Sequence, residues 1–163
     1  MVTRRLFNEA GHRRKFLAVV DETPECERAI VYASRRAAAI GGKLLLVYII
    51  EPGDFQHWLG VEEVMRAEAT ERANNALAKH SALAREKSGS EPETVIREGK
   101  PVDEIRALIE EDQDIAILVL AAGSGKEGPG PLVSSIAGGK APFPIPVTVV
   151  PQAMSDEDIE ALS

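Results

Sequence analysis

Short, wholly apolar runs alternate with amphipathic stretches along this chain. Residues 16–20 are an apolar run ending at Asp21, the pattern of a buried strand. Thr23 then suits a helix cap, with Pro24 at the first helical position and Glu25 in the first turn. Ala29, Ile30, Ala33, Ala37 and Ile40 continue that helix at steps of three and four, and Gly41-Gly42 ends it. Residues 44–50 form a second all-apolar strand, stopped by Pro52, and residues 53–60 read as a loop containing Gly53, Asp54, His57 and Gly60. A long helix follows, with Val61, Val64, Met65, Ala69, Ala73, Leu77 and Ala84 on its inner face. Residues 88–92 break it, and 94–97 make a weaker strand suited to a sheet edge. Pro101 starts a helix built on Val102, Ile105, Leu108 and Ile109, with Asp103 and Glu104 near its positive end. Residues 115–120 are the third strongly apolar strand; a glycine-rich loop, a short helix and a last strand at 147–150 follow.

The order βαβαβαβαβ, with strands apolar throughout, predicts an α/β fold: one five-stranded, mostly parallel sheet covered by helices on both faces. Right-handed crossovers leave few layouts. The expected one is a flavodoxin-like or nucleotide-hydrolase-like, Rossmann-like three-layer sandwich of strand order 3-2-1-4-5, with the first and fourth strands adjacent. Ligands of such sheets sit beyond the carboxyl ends of the strands where the winding reverses. That rule selects residues 21–23 and 121–135.

Charge and length narrow the picture. The 163 residues suit a single domain, here residues 15–152. Residues 1–14 read as a flexible basic arm with Arg4, Arg5, Arg13 and Arg14, and residues 153–163 as an acidic tail with Asp156, Glu157, Asp158 and Glu160. A formal charge of −7 disfavours a nucleic-acid partner. No apolar run is long enough to span a membrane, and a secretory signal pattern is absent, so a cytoplasmic location is expected. One cysteine, Cys26, excludes an internal disulfide, and three scattered histidines suggest no metal site.

The segment beginning Ala121-Ala-Gly-Ser-Gly-Lys-Glu-Gly-Pro-Gly-Pro131 carries glycines at 123, 125, 128 and 130. Glycines let backbone amides converge into an anion nest, and Ser134 and Ser135 are expected to open a helix whose free amides also favour phosphate. A plain Gly-Pro turn is the competing reading. Gly125-Lys126 fails the Walker pattern, since Glu127 follows it and Leu120 stands where a glycine is required. Gly123, Gly125 and Gly128 match G-x-G-x-x-G, but prolines intervene where a long helix should open.

Several pieces in order resemble the universal stress protein family. They are Phe16-Leu-Ala-Val-Val-Asp-Glu-Thr, Leu44-Leu-Leu-Val-Tyr-Ile-Ile-Glu-Pro, Glu98-Gly-Lys-Pro, Ile117-Leu-Val-Leu-Ala-Ala-Gly-Ser-Gly-Lys and Pro146-Val-Thr-Val-Val-Pro. The resemblance spans about residues 15–151. ATP-holding members carry G-x2-G-x9-G-[ST]. Here Ala122 and Gly125 occupy the first two glycine positions, and with one deletion Ser134 and Ser135 stand at the third glycine and the hydroxyl, followed by Ile136. The resemblance implies that Asp21 bonds a ribose, that backbone near Val20 and Ile49 meets adenine, with Glu22 and Thr23 beside it, and that Gly123, Gly125, Ser134 and Ser135 line phosphates. Lys126 is either an added cation there or a solvated loop lysine, and Asp21 either a ribose ligand or a turn aspartate. The implied ligand is ATP or another adenine nucleotide, with Mg2+ as its counter-ion.

His80 falls on the apolar stripe of the long helix and reads as a packed core histidine. His57 and Trp58 share a loop that is either a flap or plain surface. Cys26 lies in a first helical turn, where the dipole lowers a thiol's pKa, but it has no His or second Cys beside it. No nucleophile stands beside a general base, so no catalytic residue is assigned and at most slow ATP hydrolysis is expected. The function expected is that of an adenine-nucleotide-binding stress-response or signalling protein acting by conformational response, with a protein partner of unknown identity. The alternative is a nucleotide-independent interaction module on the same fold. The last strand, uncharged and expected at a sheet edge, predicts a homodimer through Val147, Thr148, Val149 and Val150.

Overall fold

The computed structural model describes residues 2–52, 60–138 and 142–163. Its elements are β1 (Lys15–Val20), α1 (Cys26–Ile40), β2 (Lys43–Ile50), α2 (Val61–Ser88), β3 (Glu93–Glu98), α3 (Pro101–Glu111), β4 (Ile115–Ala122), α4 (Pro131–Ala137), β5 (Val147–Pro151) and α5 (Asp156–Leu162). The strands form one sheet of order β3-β2-β1-β4-β5, and every pairing is parallel. The 3-2-1-4-5 α/β architecture read from the sequence is the one observed. The winding reverses between β1 and β4, which opens the crevice at their carboxyl ends.

Both faces of the central strands are covered, so their side chains alternate between two apolar layers. Phe16, Ala18 and Val20 pack with Leu46 and Val119 beneath α1, α2 and α5, where Ile30, Leu77 and Ile159 are buried. Leu17 and, less completely, Val19 face the other way, against Ile105, Leu108 and Ile109 of α3 and Leu132, Val133 and Ile136 of α4. Parallel sheets need this double cover, which explains why β1, β2 and β4 carry no alternating polar positions. β3, at an edge, is half-exposed along its length, as its weaker apolar pattern indicates.

Four local expectations are revised. Thr23 does not cap α1: it donates its amide and hydroxyl to Asp21 Oδ1, and the helix begins at Cys26 after a turn in which Cys26 N–H meets the Thr23 carbonyl. Ile40, the last residue of α1 before the Gly41 cap, is 40% exposed rather than on the buried face. Val64, at the open end of α2, is 57% exposed and belongs to no inner face. Residues 153–163 contain a docked helix, α5, opened by a capping box between Ser155 and Asp158 and anchored by the fully buried Ile159. Arg28 Nη1 grips Asp156 Oδ1 at 2.7 Å, and Arg36 donates to the Ser163 carbonyl.

The basic arm is irregular as expected, but it is tied down. Arg5 donates to the carbonyls of Ile109, Asp112 and Ile115 at 2.6–3.0 Å, satisfying the carboxyl end of α3, and Thr3 bonds Glu110. The loop expected at 53–60, with His57 and Trp58, lies outside the described residues except for Gly60.

Candidate functional site

The β1–α1 turn stands at the crevice and has a cavity on each side. Asp21 shapes it. One carboxylate oxygen, Oδ1, holds Thr23, and the side chain is otherwise exposed, so Oδ2 faces outward from a fixed turn. The turn-aspartate and ligand readings of Asp21 are therefore compatible: one oxygen builds the turn and the other is left to solvent or a guest.

On the α4 side lies a narrow cradle of about 70 Å³. Asp21 and Thr23 wall it together with Val19, Glu25 and Cys26 from the β1–α1 segment, Leu120 and Ala121 from β4, and residues 129–133. Small-molecule sites usually enclose about 300–1,000 Å³, so the cradle is closed down.

The glycine-rich loop accounts for part of that closure. Gly123 donates its amide to the Pro129 carbonyl at 3.2 Å, and Gly128 donates to Gly125 at 3.1 Å. Ser124 gives both its amide and its hydroxyl to Gln152 Oε1, pinning the loop to the residue after β5. The amides of Gly123 and Gly128, expected to converge on a phosphate, and that of Ser124 between them are thus engaged within the protein. Gly128 and Gly130 adopt φ of +82° and +109°, and these two positions are where the loop requires glycine. Gly123 is packed closely for a different reason: a β-carbon there would lie 2.7 Å from Glu25 Oε2, which would have to swing away, and 3.1 Å from the Gly128 carbonyl oxygen. The Glu25 carboxylate rests against the loop backbone.

The serines sit differently from the sequence expectation. The helix opens at Pro131, not at Ser134, and Ser134 N–H already bonds the Gly130 carbonyl at 2.9 Å. Ser135 donates its hydroxyl back to the Pro131 carbonyl at 2.8 Å, a bond within its own helix. Ile136 packs into the α3–α4 apolar layer. Ala122 is the last residue of β4, paired with Pro151. Lys126 and Gly125 are exposed on the loop, and a β-carbon on Gly125 would meet nothing within 4 Å.

Of the residues expected to bind nucleotide, Asp21 and Thr23 wall the cradle. Val20 is 1% exposed and turned toward α1, and its neighbour Val19 faces the cradle instead. Ile49 is half-buried on the α3–α4 side of β2 but does not wall the cradle. Glu22 faces the opposite way and accepts a bond from Tyr48 Oη at 3.2 Å.

On that other side is a wider cleft of about 490 Å³ between the turn and α2. Asp21, Glu22 and Glu27 line it opposite Arg72, Lys79 and His80, with Lys79 Nζ 3.6 Å from Glu27 Oε1. His80 is 4% exposed and its Nδ1 has no hydrogen-bond partner. Burial, and then the Lys79 charge, hold its imidazole below the usual histidine range, so it sits neutral in the core stripe.

Cys26 lines the cradle floor. Its thiol is pushed up to about 12, first by burial and further by the charges of Asp21, Glu27 and Glu25; the amide of Asp21 opposes this. The helix-dipole effect expected from its first-turn position is outweighed. Among the described residues, no group of three or more His, Cys, Asp and Glu is placed to hold a metal ion, and no helix is long and apolar enough to cross a membrane.

Sequence reasoning named neither Val19 nor Glu25 for the site; it selected the 121–135 segment but singled out Ser134 and Ser135 rather than the 129–133 wall. Strand alternation would have pointed to Val19, since Val20 continues the Phe16–Ala18 face. Glu25 carried no signal, because its orientation depends on the bare Cα of Gly123.

Comparison with known proteins gives the following. The profile of the "Universal stress protein family" matches residues 12–151. The fold is similar to the universal stress protein UspA from Lactobacillus plantarum, with a TM-score of 0.69, 19% identity, and cover of 84% of this chain and 97% of that one. It is similar to the universal stress protein from Archaeoglobus fulgidus in complex with dAMP, with a TM-score of 0.62, 18% identity, and cover of 84% and 97%. A universal stress protein family protein from Arabidopsis thaliana with AMP bound aligns with a TM-score of 0.59 and 18% identity over 85% and 91%. Among curated protein sequences, none matches the chain.

Proposed function

Because this chain belongs to the universal stress protein family, we propose that it binds an adenine nucleotide at the crevice between β1 and β4 and acts by conformational response rather than rapid turnover. The observation that carries the reading is the convergence of the Asp21–Thr23 turn and the loop after β4 on one cradle at the topological switch point. Relatives of the same fold hold dAMP and AMP, which supports the same ligand class here. Asp21, with one oxygen already fixed by Thr23, is preorganised to accept ribose hydroxyls, and Val19 offers an apolar wall for a base. Loading requires the cradle to widen, and Gly125, Lys126 and Glu127, the exposed stretch beyond the Ser124–Gln152 pin, are the part of the loop that yields. That movement is the conformational response.

β5 forms the open edge of the sheet, uncharged, with Val149 38% exposed. Such an edge is a template for pairing, and the reading includes a two-fold dimer through Val147, Thr148, Val149 and Val150.

The test is mass spectrometry of small molecules released from freshly purified protein, followed by thermal shift with adenosine, AMP, ADP and ATP. An adenine compound in the released fraction, or a saturable rise in melting temperature, is expected. Neither appearing would overturn the reading. The outcome would then favour the nucleotide-independent interaction module, for which the 70 Å³ volume of the cradle already speaks.

A further inference from the structure

We propose that Glu25 is the specificity-determining residue of this cradle, its carboxylate occupying the place of a ligand's outer phosphates and restricting the site to adenine ligands of low charge. The inference rests on the nucleotide-binding reading above and fixes which members of that class the site takes.

Glu25 is half-buried at the amino end of α1 and turned into the cradle, where Oε2 would stand 2.7 Å from a β-carbon on Gly123. Among the described residues it makes no ion pair or side-chain hydrogen bond within the protein. Arg28, one turn along α1, is taken up by Asp156, and Lys126 is exposed on the outer part of the loop, so neither cation bridges to it. A carboxylate left unpaired against a loop backbone presents its charge to whatever enters. Asp21 adds to the same field on the cradle's wall, and the Cys26 thiol there, raised first by burial, is raised further by the neighbouring carboxylates.

The loop does little to offset this. The amides of Gly123, Ser124 and Gly128 are engaged internally, so the donors that would compensate a polyphosphate are reduced. Each added phosphate brings like charge toward Glu25 without gaining a matched donor. An adenosine moiety placed on Asp21 and Val19 avoids the conflict, and a single phosphate meets it only in part. The disagreement between this site and a triphosphate is therefore electrostatic and is concentrated on one side chain.

The competing role for a carboxylate beside phosphates is to hold Mg2+, and the two roles predict opposite effects of neutralisation. Affinities of adenosine, AMP, ADP and ATP are to be measured by calorimetry on the full chain, with EDTA and separately with Mg2+, for the wild type, Glu25→Gln and Glu25→Asp. Affinity is expected to fall in the wild type as phosphates are added. In Glu25→Gln the ATP-to-adenosine affinity ratio should rise about tenfold or more, with and without Mg2+. Glu25→Asp, which keeps the charge, should retain most of the discrimination. A ratio that stays within about twofold of wild type, or a loss of Mg-ATP binding in Glu25→Gln, overturns the proposal. If adenosine binds to none of the three proteins, the nucleotide reading itself fails. Circular dichroism of each variant separates loss of fold from loss of binding.

Discussion

Replacing Ile159 with Ala tests whether the acidic carboxyl-terminal segment is part of the folded domain. Ile159 is 0% exposed and packs into the layer shared by α1 and Val150. Truncating a fully buried Ile to Ala costs about 2–5 kcal/mol when the surroundings do not collapse. α5 has seven residues, too few to be stable alone. What else holds it is modest. The Ser155–Asp158 capping box contributes about 1 kcal/mol. The Arg28–Asp156 pair, with the Asp side chain 48% exposed, contributes at most about 1 kcal/mol after solvent screening. The Arg36 bond to the Ser163 carbonyl adds about 1 kcal/mol. A helix so tethered detaches before it tolerates a void, which caps the loss near the lower end of the range. Ile159→Ala should therefore lower unfolding free energy by about 2–3 kcal/mol in urea titrations, with amide exchange across α5 approaching that of an unfolded peptide. Leu162→Ala, at a side chain 61% exposed, should stay within about 0.5 kcal/mol. A loss below about 0.5 kcal/mol for Ile159→Ala, with α5 protection intact, would refute the reasoning.

Three further outcomes are expected. With its thiol raised from 9.0 to about 12, Cys26 should react with iodoacetamide about a thousandfold more slowly than an ordinary thiol at neutral pH, and at the ordinary rate in denaturant; equal rates in both conditions would contradict the burial. His80 takes up a proton less readily folded than unfolded, where its value is 6.5, so the unfolded chain binds more protons as acidity rises. Stability should drop as the pH falls through 6.5 and below, and urea midpoints of His80→Gln should show a shallower drop; an unchanged slope places the titration elsewhere. Val149→Lys, on the open edge of β5, should give a monomer by light scattering while leaving circular dichroism intact, and a persistent dimer would locate the interface elsewhere.

Most of the fold was legible because it depends on signals that local sequence carries. β1, β2 and β4 are apolar on both faces, and only a doubly covered parallel sheet buries such strands. Pro101 and Gly41 marked element ends that the structure keeps. α5 was less legible because a single apolar anchor, Ile159, sits among four acidic residues, and composition hides it. The signal present was Ser155 three residues before Asp158, a capping box with Asp in place of the commoner Glu. Thr23 was misread as a cap since its partner, Asp21, precedes it by two residues, a spacing that makes a turn rather than a helix start.

The crevice was legible in place, but the groups that line it were not. The switch point follows from strand order alone, and the cradle lies there. Matching glycine positions directed attention to Ala122 and Ser134, where the family pattern has glycine. Those substitutions carry no conformational penalty: Ala122 ends a strand, Ser134 lies inside a helix, and no described non-glycine residue has positive φ. The glycines that the backbone needs are Gly128 and Gly130, which the G-x2-G-x9-G spacing passes over. On the proposal made above, what separates this cradle from a polyphosphate site is then not handedness but charge and donor count. Loop amides are already bonded internally, and Glu25 Oε2 lies 2.7 Å from where a β-carbon on Gly123 would stand, so an acid fills the space beside the loop. A spacing motif records which residues lack side chains; it does not record which neighbour fills the space they leave.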